Sequence, residues 1–366
     1  MDPNELAPEV MNRERIAASL DFEHKKLTEQ FELLISSIDA EYVFQTVVAN
    51  FLLAHNSVQD HQSSIQTPAF VELAAYYLFP RFGIGGSREP KLIQDFFDML
   101  EEMNMSRALA TANETNQSDR QIAMLQLHLL LEADLVRGSA YAPLLRKRIV
   151  GIQCPFEDWF KYIVGIGPCR ALEVIDAYLK AINANLTQEQ QKLKIIYSDM
   201  AQIASDLRKR KADASREEEV DRQKADIGER LTDFYNNAVL NLAPSFSQIK
   251  NLVPELSQDE WRSLRDLIGL TADSRKALSN PREMRDRPLY WLPSDRILYL
   301  DVSCVYDALF EAYDAVTRLK ANQPFRDSRY IIGLSEWMEK EVPQYFRRVF
   351  PKHSVFNSLT YPNPDQ

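Results

Sequence analysis

Two glycines, a proline, a cysteine and an arginine in the stretch YIVGIGPCRALEVI, residues 162–175, carry the sharpest chemical signal of the chain. A helix predicted over 156–164 meets a tight corner, Gly165-Ile166-Gly167-Pro168, and a second helix continues through Ala171, Val174 and Ile175. Glycines at 165 and 167 allow a phosphate to approach the backbone closely. The N–H groups that open the second helix add donors at the positive end of its dipole. The candidate nucleic-acid contacts are therefore Gly165, Gly167, Cys169 and Arg170. Glu157, Asp158, Glu173 and Asp176 surround this corner with negative charge, and an ordinary turn between packed helices uses the same residue types, so that reading stands beside the first.

Other clusters with chemical potential lead to blander readings. RFGIGGSREP, residues 81–90, lacks the Lys-Ser/Thr that completes a phosphate-binding P-loop and follows no strand, so it reads as a loop between helices. Of the five histidines only His55 and His61 are close, and a spacing of six does not stack them on one helical face. Cys154, Cys169 and Cys304 make neither a disulfide framework nor a C-x-x-C pair, and are expected to be small buried hydrophobes in a reducing cytosol. No G-x-S-x-G element occurs. The sequence thus assigns no catalytic residue, no metal site and no cofactor.

The elements that must position the corner are helices. Apolar residues recur at helical spacing from Ile16 through Phe31 and Ile35 to Phe51, again over 68–77, 91–103 and 121–137, which makes residues 1–150 a helical bundle. Thr67-Pro68 opens one of these helices with a cap and a proline at its first position. Thr187 and Gln190 have the spacing of a capping box, and the seam Leu193, Ile196, Met200, Ile203, Leu207 follows, resuming at Ile227, Leu231, Phe234 and Ala238. Between the two seams, the mixed-charge run 208–230 is expected to be a solvated stretch of long helix or the tip of a helical hairpin, with a binding role for 208–211 as the alternative. This second region covers 151–243. The third, 244–366, opens with a capping box at Ser257 and Glu260, then a small hairpin made by 289–292 and 297–300, a helix capped by Asp301, a last helix over 327–350 kinked at Pro343, and a terminal strand over 355–361. The predicted class is mainly α: a helical bundle, a long heptad-bearing helix and a small C-terminal α+β region.

Composition agrees. Ten glycines in 366 residues is far below the usual ~7%, and Leu, Ala, Glu, Gln, Lys and Arg are plentiful, which favours helices over turn-rich sheets. A formal charge of -10 excludes a generally basic surface of the kind that wraps nucleic acid or lies on anionic membranes, while leaving room for a local basic patch. No run approaches eighteen apolar residues and the N-terminus MDPNELAPEV has no apolar core, so a cytoplasmic protein without a membrane segment is expected.

Two resemblances attach to these residues. The corner resembles the helix-hairpin-helix motif of DNA repair and recombination proteins, G-h-G-x-x-x-A-x-x-h with h apolar, which Gly165, Gly167 and Ala171 match. Cys169 stands where such motifs often place a lysine, with Arg170 beside it. In outline, residues 155–182, 287–300 and 336–362 resemble uncharacterised bacterial proteins in which a long helical N-terminal region precedes a restriction-endonuclease-like, nuclease-related domain. That resemblance implies that 355–361 is the entry strand of a catalytic domain encoded beyond Gln366. The acidic strand and Glu-x-Lys strand that would hold Mg²⁺ are not found here: Glu23-His24-Lys25 and Glu89-Pro90-Lys91 have the spacing but lie in or beside predicted helices. The implied role is a non-catalytic scaffold or sensing region, with a protein partner or that missing domain as its counterpart. The alternative is a self-sufficient module that binds DNA through the corner.

Overall fold

The computed structural model describes residues 22–55, 68–114, 142–209, 217–270, 284–292, 295–299 and 302–349. The expected helix over 121–137, Thr67, Asp301 and the terminal strand over 355–361 lie outside them. The protein is mainly α with a small α+β region. In chain order the helices are α1 (22–37), α2 (Ala40–His55), α3 (Pro68–Leu78), α4 (Pro90–Glu114), α5 (Ala142–Arg148), α6 (Glu157–Val164), α7 (Pro168–Lys209), α8 (Glu217–Leu242), α9 (Phe246–Leu252), α10 (Gln258–Ile268), α11 (Val302–Arg318) and α12 (Ile331–Val349). Among the described residues no helix is long and apolar enough to cross a membrane.

The helical spacing of large apolar residues explains the N-terminal bundle. Phe31 of α1 stacks on Phe96 of α4 at 5.6 Å, and Phe44 of α2 meets Phe79, just after α3, edge-on at 4.8 Å. All four rings are buried, and ring pairs in such offset or edge-on arrangements add about 0.5–1.5 kcal/mol each beyond the area they remove from water. The 81–90 segment is the inter-helix loop expected of it. Ser87 N–H donates to Ser37 O at 2.8 Å and Asp39 N–H to Ser87 O at 2.9 Å, which pins the loop to the α1–α2 junction.

The small sheet has the order β1 (Gly269–Leu270), β2 (Leu289–Trp291), β3 (Ile297–Tyr299). β2 and β3 form the expected antiparallel hairpin, with Tyr290 opposite Leu298 and Trp291 opposite Ile297, and β1 joins β2 in parallel. Every residue of β2 is buried, so the strand shows no alternation of apolar and polar positions. Tyr290 packs edge-on against Phe44 at 5.3 Å, and Arg285 pairs with Glu72 at 3.1 Å, which ties the sheet to the bundle. The capping box predicted at Ser257 and Glu260 opens α10, and a second one, Ser245 with Gln248, opens α9. Pro343 lies inside α12.

One expected boundary is not a boundary. Thr187 does not start a helix, because α7 runs unbroken for 42 residues, about 63 Å, from Pro168 to Lys209. The Thr187 hydroxyl donates back to Asn183 O at 2.9 Å, the internal bond a threonine makes within a helix, and Gln190 donates to Leu53 O on α2 instead of closing a box. α7 and α8 run in opposite directions: Asn185 donates to Leu242 O at 3.2 Å, Asn241 to Glu189 at 3.3 Å, and Arg230 pairs with Asp199 at 2.9 Å. The described parts of the mixed-charge run, 208–209 and 217–230, therefore belong to the two arms of a helical hairpin.

Candidate functional site

The corner forms as its residue types require. α6 ends at Gly165, whose φ of 88° lies in the left-handed region, and its N–H closes the helix on Lys161 O at 2.9 Å. A Cβ at 165 would also sit 2.2 Å from the Ser263 hydroxyl. Ile166 is buried, and its carbonyl accepts from the Tyr313 hydroxyl of α11 at 2.9 Å. Burial, with the negative charge of Glu157 adding to it, pushes the Tyr313 phenol well above its ordinary value, so it stays a donor. Phe160 of α6 packs edge-on against the same ring at 4.9 Å. Pro168 then opens α7 at the position where its missing N–H costs nothing.

The donors that the sequence offers to a phosphate already have an acceptor. The Glu157 carboxylate accepts from Cys169 N–H at 2.7 Å and from Arg170 N–H at 3.2 Å, and so acts as a remote cap for α7. Gly167, which cannot cap the helix itself, is what admits it: a Cβ there would lie 2.1 Å from Glu157 Oε1. Arg170 is likewise engaged. Its side chain is only 17% exposed and reaches Glu173 at 2.5 Å and Glu260 at 3.7 Å, while Lys161 reaches Glu260 at 3.2 Å. Burial pushes the Glu260 carboxyl up, but the Ser257 N–H and hydroxyl and the Lys161 ammonium together hold it below its ordinary value. Gly165, Gly167, Cys169 and Arg170 are thus brought together as expected, in an arrangement whose amides and cation face the protein's own carboxylates. A phosphate at this corner has to displace Glu157.

The cysteines depart from expectation. Cys154 is half-buried and Cys169 exposed, their Cα atoms are 5.2 Å apart and they are joined as a disulfide, while Cys304 is buried as predicted. They stand 15 positions apart in the sequence, and no short motif marks the pair. The turn at 154–156, helix α6 and the glycine corner fold back so that both ends of this segment meet beside Glu157. Sequence reasoning paired neither Cys154 with Cys169 nor Glu157 with the α7 amides. The signal that was present is a Cys on either side of a predicted helix–corner unit, with a carboxylate three residues after the first.

A second feature is an open cleft of about 1010 Å³ between α2, the 81–90 loop and α8. On its wall Arg88 pairs with Asp39 at 2.8 Å and lies over the Tyr42 ring at 4.8 Å, and the Tyr42 hydroxyl donates to Asn236 at 2.9 Å. Tyr235, also on the wall, is pushed up to about 12 by burial and by its hydrogen bond with Tyr197.

The chain matches no protein-family model, no curated protein and no solved structure.

Proposed function

We propose that this protein is a non-catalytic helical scaffold or sensing region that works with a nuclease-type catalytic domain and engages its protein partner through the α7–α8 hairpin. The observation that carries this reading is how apolar side chains are distributed on the distal hairpin. Leu193, Ile196 and Ile203 of α7 and Ile227, Leu231 and Phe234 of α8 are buried in the core or packed against it. Ile195, Tyr197 and Met200 on the same turns of α7 remain 58%, 50% and 39% exposed. Met200 also borders an apolar groove that runs between the two helices with Ile203, Ala204, Ile227 and Leu231. Tyr197 and Met200, three residues apart, lie on one face of α7, and large apolar groups kept in water beside such a groove, beyond those the helix's own partner covers, suit a second partner. The nuclease connection rests on the resemblance of residues 155–182, 287–300 and 336–362 alone.

The test is site-specific photo-crosslinking in cells, with the reactive residue placed at Tyr197, at Met200 and, as control, at exposed Glu229. The scaffold reading expects one discrete adduct from the first two positions and none from the third, and expects the captured protein to carry a metal-dependent nuclease domain. Equal labelling at all three positions, or none, refutes it. The alternative, DNA binding at the corner, requires Glu157 to vacate the α7 amides. It expects Glu157→Gln to raise DNA affinity and expects that affinity to fall steeply with salt.

A further inference from the structure

The geometry points to a divalent-cation site formed by Cys154, Glu157 and Cys169 when the cysteines are thiols, with Zn²⁺ as the ion its chemistry fits. The two sulfurs and a Glu157 oxygen lie within 4.8 Å of one another. A tetrahedral zinc with Zn–S bonds of about 2.3 Å holds two sulfurs about 3.8 Å apart, a separation that side-chain rotation reaches from Cα atoms 5.2 Å apart. Two thiolates and a carboxylate suit a borderline-soft ion and discriminate against Mg²⁺ and Ca²⁺, which prefer all-oxygen shells. Exposure of Cys169 leaves a coordination position open to water or to a further ligand.

Surrounding groups favour the same assignment. The Cys169 and Arg170 N–H groups hold the carboxylate in place, and a carboxylate has lone pairs enough to keep these donors while one oxygen binds a metal. Three anionic ligands around a dication leave one net negative charge beside the start of α7, where the helix dipole favours it. Gly167 leaves the space that the carboxylate occupies. The disulfide and the metal site exclude each other, because the sulfurs cannot bond to one another and to zinc. Conversion consumes a dithiol reductant: its two electrons cleave the S–S bond, it leaves as its own disulfide, and the two protein thiols release two protons as Zn²⁺ binds.

The experiment uses the full chain, reduced with a phosphine and freed of excess metal, titrated with Zn²⁺ against a chromophoric chelator. One equivalent is expected to bind, about tenfold or more weaker in Cys154→Ser and in Cys169→Ser, weakened in Glu157→Gln, and unaffected by millimolar Mg²⁺. The oxidised wild type is expected to bind no zinc at this site. Because the variants could perturb folding, Co²⁺ is added to the reduced wild type as a second measurement. A thiolate-to-cobalt charge-transfer band with intense tetrahedral d–d bands supports the site, and their absence overturns it. Zinc binding that survives oxidation, or that both serine variants retain at full strength, overturns it equally.

Discussion

Replacing Glu157 with alanine isolates the contact on which the corner is built. It removes the only side-chain acceptor found among the described residues for the Cys169 and Arg170 amides, at 2.7 and 3.2 Å, and leaves the first turn of a 42-residue helix without its cap. Loss of a neutral cap costs about 0.5–2 kcal/mol, and a charged acceptor close to the dipole places this one in the upper half of that range, about 1.5 kcal/mol. Since each 1.36 kcal/mol is tenfold in an equilibrium, opening of the first turn becomes roughly tenfold more frequent. Hydrogen–deuterium exchange read on peptides that span 165–172 is the assay, at fixed pH and fixed redox state. Exchange at Cys169 and Arg170 is expected to quicken roughly tenfold, with the α10 and α11 amides unchanged. Glu157→Gln, which keeps an oxygen but not the charge, is expected to lie between. Asp158→Ala, changing the adjacent exposed acid, is the control. If Glu157→Ala leaves exchange over 165–172 unaltered, the carboxylate is not the cap and the account of Gly167 falls with it.

Further outcomes follow from single contacts. A disulfide across 15 residues contributes about 3 kcal/mol by loop closure, so with an unfolding entropy of about 2.1 cal/mol/K per residue, reduction is expected to lower the melting temperature by about 4 °C; Cys154→Ser should abolish that sensitivity to reductant. Gly165→Ala places a Cβ at φ 88° and against the Ser263 hydroxyl, and should cost about 1–3 kcal/mol in denaturant unfolding. The Tyr306 phenol, buried and donating to Asp176 at 2.9 Å, is raised from 10 to about 12; its contribution is complete below pH 10 and is lost as pH rises through 12, so Tyr306→Phe should flatten the alkaline limb of the stability profile. Glu260 works in the opposite sense: being held below its ordinary 4.5, it contributes above that pH and ceases to contribute as acid protonates it in the folded state. Glu260→Gln should therefore lose stability near neutrality and approach the parent at low pH.

Local pattern was enough to find many of the elements. The apolar spacing over α2, α3 and α4, the Ser257–Glu260 box, the 289–299 hairpin and the glycine corner after α6 each depend on a few adjacent residues, because backbone sterics, capping and side-chain period act over one or two turns. The same local reasoning misread Thr187, since a hydroxyl followed by a glutamine has the form of a cap wherever it stands. Only packing of Gln190 toward α2 and Asn185 toward α8 shows that the helix continues past it. What the tertiary structure alone decided is pairing at a distance. The direction in which α7 leaves the Gly165 corner brings Cys154 to Cys169 and Glu157 to the amides of α7, and the contact of Tyr313 with Ile166 holds that direction. From the order of residues Glu157 reads as a charge that repels phosphate. In three dimensions it is the anion that the helix end already holds, because a turn angle, which no spacing rule encodes, sets where a side chain twelve residues away comes to rest.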